Sequence, residues 1–127
     1  MNTQDKNFKI DEDGFIYCAN QIDSPNHDSR PLNQKISLIV IHSISLPPNK
    51  FGNSYIEDFF TNKLDVNEDP YFKKIQHLNV SSHFLIKRKG ELIQFVSCLN
   101  KAWHAGESSW KNKKNCNDFS IGIELEG

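Results

Sequence analysis

Two side chains stand where chemistry would use them. His42 closes a run of apolar, largely β-branched residues, Leu38 to Ile41. An imidazole there is either a hydrogen-bonded core histidine or a ligand at a sheet edge. Glu124 lies on a strictly alternating segment and shares a face with Gly122. A carboxylate beside the space a glycine leaves suits a general base. The competing reading is a solvent-facing strand residue, and Glu126, on the same face, is the rival carboxylate.

Other candidates carry less. Trp103-His104-Ala105-Gly106 sits in a long polar loop, where a Trp serves as a hydrophobic plug or a sugar-stacking platform. His83 lies inside an apolar strand and reads as structural, and nothing beside His27 or His77 argues for ligation. No His-x3-His or HExxH occurs, so local spacing shows no metal site. A P-loop, GxSxG and GxGxxG are also absent, which disfavours nucleotide and serine-hydrolase chemistry. The three cysteines, Cys18, Cys98 and Cys116, are far apart, without a CxxC, and read as free thiols of a reducing compartment.

The elements that must hold these groups follow from periodicity. ISLIVIHSIS (36–45) predicts a buried strand, stopped by Leu46-Pro47-Pro48. Ser54 and Glu57 match a capping box opening a helix over 55–63. Asp69-Pro70 predicts a short helix over 70–77. Two strand-length runs within 81–97 flank Lys89-Gly90 and predict a hairpin. FSIGIELEG (119–127) predicts a half-buried strand with Phe119, Ile121, Ile123 and Leu125 on one face. Residues 15–35, with Pro25 and Pro31, read as an irregular arm. The sum is an α/β (α+β) domain: a central mixed β-sheet with flanking helices.

With a net charge of -1, nothing draws the chain as a whole to nucleic acid or membrane. The basic clusters, Lys87-Arg88-Lys89 and Lys111 to Lys114, read as a solvated turn and a solvated loop. The 11% aromatic content, with nine Phe, marks a folded chain. Residues 1–14 form a polar lead-in with no signal-peptide core. No apolar run approaches the ~20 residues that span a bilayer. A cytoplasmic location is the expectation.

IVIHSIS, LPPNKFG, VSSHFLIKRKGELIQFV, AWHAG and CNDFSIGIELEG follow one another in this order. Together they resemble the type-2 N-acetylmuramoyl-L-alanine amidases, most closely their cytoplasmic branch acting on 1,6-anhydro muropeptides. The resemblance spans about residues 13–127. It implies a Zn²⁺ held by two His and one Asp, with water in the fourth position. It also implies a Glu that takes the proton of that water and a Lys that stabilises the oxyanion. The substrate it implies is a muropeptide, cut between muramic acid and L-alanine by a monomeric enzyme.

Carried over residue by residue, the resemblance makes His42 a zinc ligand, Glu124 the catalytic carboxylate and Trp103 part of the substrate groove. Ser43 stands in that groove where Asn is usual. Asn115 stands where Arg is frequent, and the neighbouring Lys114 supplies charge for a stem-peptide carboxylate without the bidentate fork. The expectation is that residues 15–127 correspond to the N-terminal two thirds of the amidase domain. The second His, the Asp and the Lys lie beyond that part. This leaves three expectations: a zinc amidase, a non-catalytic muropeptide-binding fragment, or an inactive remnant of the fold.

Overall fold

In the computed structural model residues 8–127 are described. Residues 1–7 of the expected lead-in lie outside the described residues. The rest of it is docked rather than loose. Gly14 is buried with φ +86, and an added Cβ would lie 2.3 Å from Ser97 Oγ, so only glycine fits.

A five-stranded mixed sheet organises the chain, in the order β1 (Asn20–Gln21), β5 (Leu92–Gln94), β4 (Phe84–Ile86), β9 (Ser120–Glu126), β3 (Leu38–Ile44). The β4–β5 hairpin is antiparallel, while β4, β9 and β3 run parallel. Its turn closes with the Lys87 N–H on Glu91 O, and Gly90 takes φ +91. The expected arm is more ordered than its prolines suggest. β1 pairs with β5, and β2 (His27–Ser29) pairs antiparallel with β6 (Asn100–Ala102).

The helices are shorter than the sequence patterns, at α1 (Tyr55–Phe60) and α2 (Phe72–Ile75). The capping box does not form. Ser54 makes no side-chain cap, the Tyr55 N–H goes to Asn53 Oδ1, and Glu57 turns away to pair with Lys87 at 3.1 Å. Lys87, expected in solvent, is therefore sequestered. Its ammonium also donates to Asn53 O, which ties α1 to the hairpin. Ile56, Phe60 and Phe72 pack with Leu85, Ile93 and Phe95 as the core. The loop at 109–114 forms a small hairpin, β7 (Ser109–Trp110) with β8 (Lys113–Lys114). Lys111 and Asn112 both take positive φ at its turn, as a two-residue primed turn requires.

Two expectations are corrected. β3 is not buried on both faces: it is an edge strand, with Ile39 62% and Ile41 55% exposed. Among the described residues nothing pairs its outer edge. On β9 the alternation is real but its burial is inverted. Ser120, Gly122, Glu124 and Glu126 face inward and are buried, whereas Leu125 is 39% exposed. Ser120 and Glu126 meet specific hydrogen-bond partners and Gly122 a fitted ring, which makes their burial tolerable, whereas Glu124 Oε2 meets no such partner among the described residues. Glu126 accepts the backbone N–H of Gly52 and of Arg88, so it clamps the 51–54 loop and the hairpin to the end of β9.

Candidate active site

Parallel pairing of β3 with β9 sets His42 opposite Glu124. Side chains of paired residues leave a sheet on the same face, so these two groups converge. Ser43 is paired with Leu125, is exposed, and leaves β3 on the other face.

Glu124 is 8% exposed, and its Oε2 has no hydrogen-bond partner among the described residues. Burial pushes the carboxyl up to about 7. An unpaired buried carboxylate is costly, so the proton is held far above the ordinary range. Such a group exchanges protons near neutral pH. Glu126, the sequence rival, has both oxygens bound by backbone N–H groups and is a clamp.

A third residue joins them from a distant loop. The His104 ring fills the space that Gly122 leaves open. A Cβ on Gly122 would lie 2.5 Å from His104 Cγ. His104 Nδ1 is 3.1 Å from His42 Nε2, and His104 Nε2 is 3.0 Å from Ser120 Oγ. The loop is pinned because Asn117 Oδ1 accepts the backbone N–H of both His104 and Ala105. Burial, then the neighbouring His83, His42 and Arg30, push His104 down to about 3. Burial lowers His42 as well.

Beneath this layer sits an unforeseen anchor. The Arg30 guanidinium donates to the carbonyls of Cys98, Asn117, Asp118 and Ser120. The wholly buried His83 accepts the Gly122 N–H at Nδ1 and so donates from Nε2 to Asn100 O. Its structural reading holds. Burial is the main cause that pushes it down to about 4. Nothing local in the sequence marks Arg30, because its partners are backbone carbonyls far along the chain.

The remaining candidates have partners or settings of their own. The Trp103 indole N–H is bound by Asp28 Oδ1 at 2.7 Å, on β2. A cavity of about 400 Å³ beside His42 is lined instead by Trp110, Ile39, Ile41, Ala105 and Ser108, among others. Lys114 is exposed on β8. His27 and His77 are exposed and lie apart from the site. The three thiols are free, and burial pushes Cys98 up to about 11.

Residues 32–127 match the family model described as Amidase_2, N-acetylmuramoyl-L-alanine amidase. The chain belongs to this amidase family. It is 50% identical over 116 residues to the 1,6-anhydro-N-acetylmuramyl-L-alanine amidase AmpD of Citrobacter freundii, covering 91% of this chain and 62% of that protein. The AmpD of Haemophilus influenzae is 52% identical, over 91% of this chain and 63% of the relative. A crystal structure of a selenomethionine AmpD derivative superposes with a TM-score of 0.89 at 50% identity, covering 91% of this chain and 65% of that one. The chain thus spans somewhat less than two thirds of the length of these amidases. The mixed sheet expected from its sequence is the fold it shares with AmpD. No helix among the described residues is long and apolar enough to cross a membrane.

Proposed function

We propose that this chain carries the His42–Glu124 part of an amidase centre. Its reaction is hydrolysis of the amide between N-acetylmuramic acid and the L-alanine of a muropeptide, as in cell-wall recycling. The observation that carries the reading is Glu124: a buried carboxyl with an unpartnered oxygen, held near pH 7, in register with His42. As carboxylate it accepts a proton from the attacking water. As carboxylic acid it returns that proton to the departing alanine amine. The 1,6-anhydro sugar of the AmpD relatives' names is the favoured substrate class. Trp103, half-buried beside His104, is the proposed sugar platform, and Lys114 the proposed charge for a stem-peptide carboxylate.

A catalytic zinc needs about three protein donors and an open position. Among the described residues no group of three His, Cys, Asp or Glu side chains converges. His42 supplies one imidazole, whose Nε2 is already engaged by His104. These residues alone do not fit a zinc centre. The second reading is binding of a muropeptide without turnover.

Incubating the chain with an anhydromuropeptide, with and without added zinc, and following the product by mass spectrometry separates the two. Release of free stem peptide that is lost in Glu124→Gln establishes the first reading. Calorimetric binding with no product establishes the second, and neither binding nor product refutes both.

A further inference from the structure

We infer that Ser120, His104 and His42 form a directional hydrogen-bond relay, in which His104 is a positioning residue that decides which ring nitrogen of His42 carries its proton. This deepens the proposed function and takes from it only the importance of His42.

The direction follows from the buried end. Ser120 is fully buried, and its hydroxyl faces His104 Nε2 at 3.0 Å. No other partner for that hydroxyl occurs among the described residues. A buried O–H left without an acceptor is penalised, so it donates to His104 Nε2. A neutral imidazole bears one proton, and with Nε2 accepting, the proton sits on Nδ1. Nδ1 lies 3.1 Å from His42 Nε2, which therefore accepts. His42 is left with its own proton on Nδ1.

Geometry gives the relay little freedom. Gly122 leaves a slot that the His104 ring fills, with positions as close as 2.5 Å to where a Cβ would stand. Asn117 Oδ1 holds the backbone at both His104 and Ala105. Arg30 holds the Ser120 carbonyl at 2.8 Å, fixing the far end. The rings of His42 and His104 meet edge to face at 72° with centroids 5.3 Å apart, so neither ring turns without disturbing the other.

In this polarity His42 offers an N–H and no free lone pair. Presenting a lone pair at Nδ1 requires reversal: each ring moves its single proton from Nδ1 to Nε2. His42 then donates to His104, and His104 donates to Ser120 Oγ. The number of protons is unchanged, but the buried Ser120 O–H loses its acceptor. The hydroxyl thus biases the relay against the lone-pair form by roughly the net worth of one hydrogen bond, about fivefold in population.

The test is a long-range proton–nitrogen NMR correlation on the full chain labelled with ¹⁵N-histidine. At pH 8, above the ordinary imidazole pKa of about 6.5, the rings are neutral and each nitrogen reports whether it bears a proton. The expected spectrum has His104 and His42 both bare at Nε2 and protonated at Nδ1. Ser120→Ala is expected to shift the His104 ratio about fivefold toward the Nε2–H form, and His42 with it. Ser120→Thr, which keeps the hydroxyl, is expected to return the wild-type pattern. A wild-type His104 protonated at Nε2 overturns the relay direction, whatever the variants do. A His42 pattern unmoved by Ser120→Ala overturns the coupling. Neither readout involves substrate, so failure of the relay and failure of the amidase reading are distinguishable.

Discussion

Replacing Glu124 by Gln is expected to stabilise the chain above neutral pH while removing its chemistry. The group's pKa rises from 4.5 unfolded to about 7 folded, because burial penalises the charged form. Below pH 4.5 both states hold the proton and Glu124 costs nothing. Between pH 4.5 and 7 the unfolded chain loses its proton first, so stability falls as pH rises. Above 7 the loss is complete and constant. At about 1.36 kcal/mol per pH unit, the full loss approaches about 3 kcal/mol. Glutamine keeps the shape without the charge, and the orphaned Oε2 has no bond to lose.

Urea unfolding of both proteins at pH 4 and pH 8 reads this directly. The stabilities should agree at pH 4, and Gln should lead by up to about 3 kcal/mol at pH 8. The lowered pKa values of His83 and His104 give the opposite slope, with stability lost as pH falls below about 6.5. Both variants share those histidines, so the difference isolates Glu124. A gap independent of pH, or a Gln variant less stable at pH 8, would show that burial does not govern this carboxyl. If the chain turns over muropeptide, the same change should lower the rate by about 10²-fold or more.

Three further outcomes are expected. Gly122→Ala should destabilise by about 2–4 kcal/mol in urea unfolding, from overpacking against His104 and loss of its hydrogen bonds; strand propensity alone gives the opposite sign, so stabilisation refutes the slot. Glu126→Gln should cost about 1–2 kcal/mol at pH 7 by the same assay, since an amide oxygen replaces a carboxylate that accepts two backbone N–H groups; an unchanged midpoint removes its role as a clamp. Arg30→Lys should cost about 3 kcal/mol, because one ammonium cannot reach four carbonyl oxygens with the geometry of a fork; a loss below about 1 kcal/mol would show the anchor to be dispensable.

The helices show where local signals stop short. Ser54 and Glu57 have the capping-box spacing, yet Glu57 takes an ion pair with Lys87 from a hairpin thirty residues away. That contact also removes Lys87 from the solvated turn its neighbours suggest. The reading of β3 as fully buried fails for a related reason. An apolar run reports what a strand can tolerate on its faces, and an edge position leaves Ile39 and Ile41 open.

The sequence by itself determined the strands at 38–44, 84–86, 92–94 and 120–126, the mixed sheet and the family, and it singled out His42 and Glu124 as candidates. Periodicity and ordered motifs are written in neighbouring positions, so they survive without coordinates. Only the tertiary structure decided which face of β9 is buried. Alternation separates two faces but does not say what will cover either one. It also decided that Glu124 keeps its proton near pH 7, because desolvation depends on every element packed around the carboxyl. And it alone brought His104, sixty-two residues along the chain, into the slot above Gly122 and against His42. The shape of that slot is the missing side chain of one residue fitted to the ring of another, a complementarity that exists only once the chain has folded.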